Sequence, residues 1–286
     1  MSRKSILAFL CMPAAVAGFA ASPPTLSGTF AFQGGQATTE GHLRLTPGAG
    51  SPLKQHIDIW MCSQASPLQP IRNYGTEMTK KLHVVIVSSD FSIFLHVHPV
   101  LGANGHFTLD QQFPTPGLYY LYADAVPNDG DHQVFRFALH LSKSDAPARP
   151  VLVPTGKEVS VGPYTVDLSR ARLHAGSMDT IEVQILKGDA PARDLHPYLG
   201  VPAHAVFLSS QDLTYVHVHP MPMTPGPPDT MNMDMSKMTM DMPDNASSPP
   251  DMVLHVSVKE PGTYKLWLQF RGGSQLYVAP FVLVAN

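Results

Sequence analysis

Residues 82–99, LHVVIVSSDFSIFLHVHP, return at 203–220 as AHAVFLSSQDLTYVHVHP. His83 and His96 stand 13 residues apart, as do His204 and His217, and each pair is followed two residues later by His98 or His219 and then by Pro99 or Pro220. Ser88-Ser89 and Ser209-Ser210 occupy matching places between them. A chain that repeats a segment this long at fixed spacing is built of two related halves. The runs flanking Ser88–Phe91 are β-branched or aromatic, so each copy reads as a β-hairpin with a polar loop.

Facing residues in such a hairpin follow from the apolar pattern. Pairing Val87 with Ser92 sets Leu82 across from Val97, Val84 from Leu95 and Ile86 from Ile93, which makes one face wholly aliphatic. The opposite face then carries His83 across from His96, with His98 two residues along, and directly opposed Cβ atoms lie about 4.5–5.5 Å apart. The same pairing gathers His204, His217 and His219. Each cluster is expected at the strand ends farthest from the serine loop, where a sandwich meets solvent. Neutral imidazole is a ligand for zinc, copper, nickel and iron, and three suffice for a site. The competing reading is that the rings are satisfied by hydrogen bonds and close the end of a core.

At 286 residues the chain has room for two ordinary domains. Only 14% of residues are charged and the formal net charge is −3, which gives no basic patch for nucleic acid. Residues 1–21 read as a secretory signal, with Arg3 and Lys4 before the apolar Ile6–Phe19 and small residues at Gly18, Ala20 and Ala21. The mature chain is therefore expected to be periplasmic or secreted, an uncleaved anchor being the alternative. No later apolar run approaches the roughly 20 residues that span a bilayer. Cleavage leaves Cys62 as the one thiol, read as a small buried hydrophobe rather than a ligand.

Short alternating segments fill the remainder: Gly28–Phe32, His42–Leu45, Ile57–Met61, Tyr119–Ala123 and Val134–Leu141. Pro and Gly punctuate them, so the expected class is all-β, as two tandem β-sandwich domains from an internal duplication. The repeat extends outward. Phe113–Ala123 answers Val258–Leu268, Gln133–Leu141 answers Gln275–Leu283, and Leu68–Pro70 answers Leu195–Pro197. The stretch Ser142–Pro150 reads as the linker, which gives domains at 22–147 and 148–286.

One insertion breaks the symmetry. Eight residues separate Pro99 from the strand at Phe107, whereas 32 separate Pro220 from its counterpart at Met252. This 221–251 loop holds Met221, Met223, Met231, Met233, Met235, Met238, Met240 and Met242 among Pro, Asp, Ser and Asn, a composition that cannot build a core. Thioether sulfur is a soft donor suited to Cu(I) or Ag(I), and it needs no deprotonation. A tolerated low-complexity insertion and an adaptable surface for a partner protein are the plainer alternatives.

The segment PYLGVPAHAVFLSSQDLTYVHVHP (197–220), followed by the P-G-x-Y-x-L-W strand at Pro261–Trp267, resembles exported bacterial HVHP-motif proteins with cupredoxin-like (YtkA-like) β-sandwich domains. The first hairpin resembles them more loosely, Pro70-Ile71-Arg72-Asn73 replacing PYLG. The resemblance implies a cupredoxin-like, or immunoglobulin-like, sandwich, an envelope location and a link to copper handling. Neither half has a cysteine between its last strands, which argues against a blue-copper electron-transfer centre of the His₂Cys type.

The expectation is a non-enzymatic copper binder for buffering, delivery or resistance, with zinc or silver as other ions and an exporter or envelope protein as possible partner. His204, His217 and His219 form one site beside the methionines, and His83, His96 and His98 a second. The alternative is a structural or protein-interaction module of the envelope with core histidines. The sequence carries no Ser-His-Asp elbow, H-E-x-x-H or glycine-rich phosphate loop.

Overall fold

The computed structural model describes residues 23–128, 130–141, 150–223 and 242–286. The expected signal at 1–21, most of the linker and its boundary near Ala148, and Met231, Met233, Met235, Met238 and Met240 lie outside the described residues. Every secondary-structure element among the described residues is a strand. They form two tandem β-sandwiches, each of two sheets.

In the first sandwich the strands Leu118–Ala125, His83–Ser88 and Phe94–Val97 lie side by side in one sheet, with Gln133–His140 beyond them. The second repeats the order with Gly262–Gly272, Ala203–Ser209, Tyr215–Val218 and Gln275–Ala285. Both outer correspondences from the sequence hold here. The upstream one does not: Ser66–Pro70 joins the outer sheet of its domain, whereas Leu195–His196 pairs with the inner strand Gly262–Gly272. A three-residue match is too short to specify which sheet a strand joins.

The apolar face of each hairpin goes where alternation placed it. Leu82, Val84 and Ile86 are buried in the first core with Leu121 and Phe107, and Ala205 and Phe207 sit in the second with Leu254 and Leu266. Register departs by two residues from the sequence expectation, since Val84 pairs with Val97, Val85 with His96 and Ile86 with Leu95. A two-residue slip keeps every side chain on its face, so the apolar pattern cannot detect it. The loop chemistry decides instead. Asp90 Oδ1 accepts the Ser92 N–H at 3.1 Å, Ser88 Oγ accepts the Ile93 N–H at 2.9 Å, and Phe91 takes a left-handed φ of 58°. Phe91 then buries its ring on the histidine-bearing side of the sheet, which repays the backbone strain.

That side is not at solvent. Val85, Val87, Tyr122, Val206, Leu208 and Trp267 form a third core between the two sandwiches. Phe94 stacks on Trp267 with 5.2 Å between ring centres, and the repeat-equivalent Tyr215 stacks on Tyr122 at 4.6 Å. The hairpin sheets of the two domains are thus packed face to face, related by an approximate twofold. The expected solvent-facing position of the histidines is corrected accordingly: they border a buried interface.

Candidate metal centre at the domain interface

Both histidine sets reach this interface, and the approximate twofold brings them together. In the first, His83 Nδ1 lies 3.3 Å from His96 Nε2 and 3.2 Å from His98 Nε2. In the second, His204 Nδ1 lies 3.4 Å from His217 Nε2, and the His219 ring centre is 4.9 Å from that of His204. The corrected register leaves His83 diagonal to His96 rather than opposed, and continuing it puts His98 across from His83. Convergence survives because imidazole spans the diagonal gap. The two sets also touch each other. The His96 ring is 4.9 Å from that of His204 and 5.3 Å from that of His217, and His83 is 5.6 Å from His217. The sequence expectation of two separate pockets gives way to one cluster of six rings.

Burial and partners fix which nitrogen of each ring is free. His83 Nε2 donates its hydrogen to the Glu77 carbonyl at 2.9 Å, and His204 Nε2 donates to the Tyr198 carbonyl at 3.0 Å. A carbonyl only accepts, so Nδ1 of each ring carries a lone pair. His96 Nδ1 donates to Gln269 Oε1 at 3.0 Å, while His217 turns Nδ1 toward Asp124 Oδ2 at 3.5 Å. Nε2 is therefore the bare nitrogen of His96. The close pair His83–His96 consequently opposes lone pair to lone pair, with no proton between. His219 Nε2 adds a buried nitrogen with no hydrogen-bond partner among the described residues.

Protonation does not relieve the clash. Burial, then the neighbouring His217, pushes His83 down to about 4, and burial followed by His83 pushes His98 down to about 3. Burial also carries His96, His204 and His219 well below the ordinary imidazole value. These five rings are neutral at pH 7. An ion holding three nitrogens at about 2.0–2.1 Å in tetrahedral geometry separates them by about 3.3–3.4 Å. The spacings of 3.3 and 3.2 Å about His83 Nδ1, and of 3.4 Å between His204 and His217, match that requirement before any ion is present, and imidazole is a donor such ions take.

The positioning residues crossing the interface were not identified from the sequence. Asp124, at the end of Leu118–Ala125, reaches His217 of the other domain, and its repeat equivalent Gln269 reaches His96. Asp124 is buried and hydrogen-bonded by His132, whose Nε2 also faces Glu77 Oε2 at 3.4 Å. Burial alone would raise the Asp124 carboxyl, but the His132 imidazolium outweighs it and holds the group well below the usual range. Burial would likewise lower His132, yet Asp124 prevails and raises it to about 9. An acid inside the apolar strand YYLYADA was the available signal, since an unpaired buried carboxylate is too costly to keep.

Two stretches meet the outside. A cleft of about 360 Å³ reaches Asp124, His132 and His217 past Phe32 and His255. Met221 lies in the two-residue strand Met221–Pro222, Met223 is exposed, and Met242 donates its backbone N–H to the Gly200 carbonyl, two residues beyond Tyr198. Both ends of the methionine segment thus attach beside the second cluster. Cys62 is buried and free, its thiol pushed up by burial and then by Glu40, in keeping with a packing role.

No curated protein matches the chain. Among solved structures it is similar to the chicken interferon gamma receptor alpha chain, at 10% identity and a TM-score of 0.23, over 85% of this chain and 97% of that one. So low a score carries no argument. No helix among the described residues is long and apolar enough to cross a membrane. Two successive matches to one family, at residues 33–143 and 157–286, cover both sandwiches, and the chain belongs to the family described as domain of unknown function (DUF8832).

Proposed function

We propose that this chain is an exported, non-enzymatic metal-binding protein whose resident ion is held by the imidazoles between its two domains. Copper is the ion we favour, for buffering, delivery or resistance. The observation that carries the reading is the opposition of buried lone pairs, His83 Nδ1 to His96 Nε2 at 3.3 Å, with His204 Nδ1 and His217 Nε2 placed equivalently at 3.4 Å. Buried neutral rings left this way repel one another, and a cation turns the repulsion into coordination. Outer hydrogen bonds donated by the rings to Glu77, Tyr198 and Gln269, and the contact of His217 with Asp124, hold the ring orientations, as second-layer partners of metal-bound histidines do.

Copper is preferred over zinc because the methionine segment is tethered next to these nitrogens. Imidazole suits Cu(II) and thioether suits Cu(I), so the two together serve both oxidation states. On this reading Met221 to Met242 captures or hands over the reduced ion. The leader-like N-terminus and the likeness to HVHP-motif proteins support an envelope location.

Calorimetric titration of the full chain with Cu(II), Cu(I) and Zn(II) tests the proposal. Dissociation constants of micromolar or tighter are expected for copper, weakened at least tenfold by His204→Ala. Failure to bind any of the three ions would leave a structural module with core histidines.

A further inference from the structure

Six imidazoles do not make two independent sites when their ring nitrogens are this close. One nitrogen each from His96, His204 and His217 lies within 4.8 Å of the other two, although His96 belongs to the first domain and the others to the second. His83, His96 and His98 meet the same criterion, so His96 belongs to both groupings. The approximate twofold passes between the sets: His83 meets His204 at 6.2 Å and His96 meets His217 at 5.3 Å, each between repeat equivalents, and the crosswise contacts His96–His204 and His83–His217, at 4.9 and 5.6 Å, exchange under it.

From this geometry we infer that the clusters form one dinuclear centre, with an ion under His83, His96 and His98 and a second beside it under His204 and His217, the His219 ring standing 4.9 and 4.6 Å from theirs to complete its set. The inference rests on the metal-binding reading above and adds the number of ions and their coupling. Bond lengths of about 2.0–2.1 Å to nitrogens this near one another place the ions on the order of 4–6 Å apart, in the range of two-metal sites or slightly beyond. Three protein ligands leave each ion an open position. A hydroxide or other small anion can occupy or bridge those positions.

Two arrangements specific to this chain support a shared centre. Each ligand set is oriented from the opposite domain, His96 by Gln269 and His217 by Asp124, so neither is complete without the docked partner. Adjacent cations also repel, and Asp124, the one buried carboxylate touching either set among the described residues, lies at the cluster and offsets part of that repulsion.

The test loads the full chain with zero to three equivalents of Cu(II), an oxidation state that discriminates against the thioethers, and follows bound metal together with low-temperature electron paramagnetic resonance. Two tightly held equivalents are expected. The spin signal should grow with the first and then broaden, show a half-field transition or diminish with the second. His98→Asn, at a half-buried ring, should abolish the second equivalent and the coupling while leaving one ordinary Cu(II) signal; His96→Gln serves if that variant folds poorly. Saturation at one equivalent, or two equivalents with additive unbroadened signals, overturns the dinuclear centre and leaves copper binding intact. No bound copper at all removes both.

Discussion

The two histidine clusters are near copies that differ in the groups standing behind them. Gln269, neutral, accepts from His96, whereas the carboxylate of Asp124 stands behind His217. Asp124 and Gln269 are repeat equivalents, each facing the first histidine of its own hairpin across the strand pair, His83 and His204 respectively. Duplication therefore delivered the same scaffold twice, and one side-chain change made the halves electrostatically unequal. A carboxylate behind a ligating imidazole raises its basicity and stabilises the bound cation. The second cluster, which also has the methionines at its edge, is the one expected to fill first.

The comparison depends first on the domains being docked. Trp267 and Tyr122 occupy equivalent places in the core between them, and truncating either to Ala should cost about 3–5 kcal/mol. Urea denaturation checks this, and a loss below about 1 kcal/mol would mean that the sandwiches barely lean on each other. Next in size is the carboxylate itself. Asp124→Asn should weaken metal binding at the second cluster by about 10- to 100-fold and leave the first nearly unchanged. Titrating this variant with His98→Asn also present isolates the second cluster; equal affinities with and without the carboxylate would erase the asymmetry.

The converse change, Gln269→Glu, should tighten the first cluster by up to about tenfold and bring the two sites toward equality. Competition with a chelator of known affinity reads the change. The smallest effect concerns pH and the metal-free chain. His132 faces Asp124, Glu77 and the stacked ring of Phe32. Its value is raised from 6.5 to about 9, so its stabilising contribution is complete below 6.5 and disappears as pH climbs through 9. Thermal midpoints should fall across that window in the parent chain and change less in His132→Gln.

Much of this architecture is legible in the sequence, for identifiable reasons. The spacing of thirteen then two between histidines, repeated with Pro99 and Pro220, fixes both hairpins and their ligand sets. Strict alternation fixes the faces. Register was misjudged because an even slip preserves alternation, and only Asp90, Ser88 and the left-handed Phe91 tell the two pairings apart. The interface was missed although it left a trace: HVVIV and HAVFL are apolar at every position after the histidine, the mark of a strand covered on both sides. Treating the histidine face as exposed overlooked Val85, Val87, Val206 and Leu208. Cross-domain partners such as Asp124 and Gln269 lie far along the chain from their targets, and no local pattern reports such contacts.

The reciprocal reach of Asp124 and Gln269 is what a symmetric dimer makes when each subunit completes its twin. A single-domain ancestor could have assembled the same six rings only at concentrations that favour pairing. Fusing the copies in one polypeptide converts that encounter into an intramolecular one, so the centre forms irrespective of dilution. It also frees each half to change separately, and the methionine insertion and the lone carboxylate are what that freedom produced.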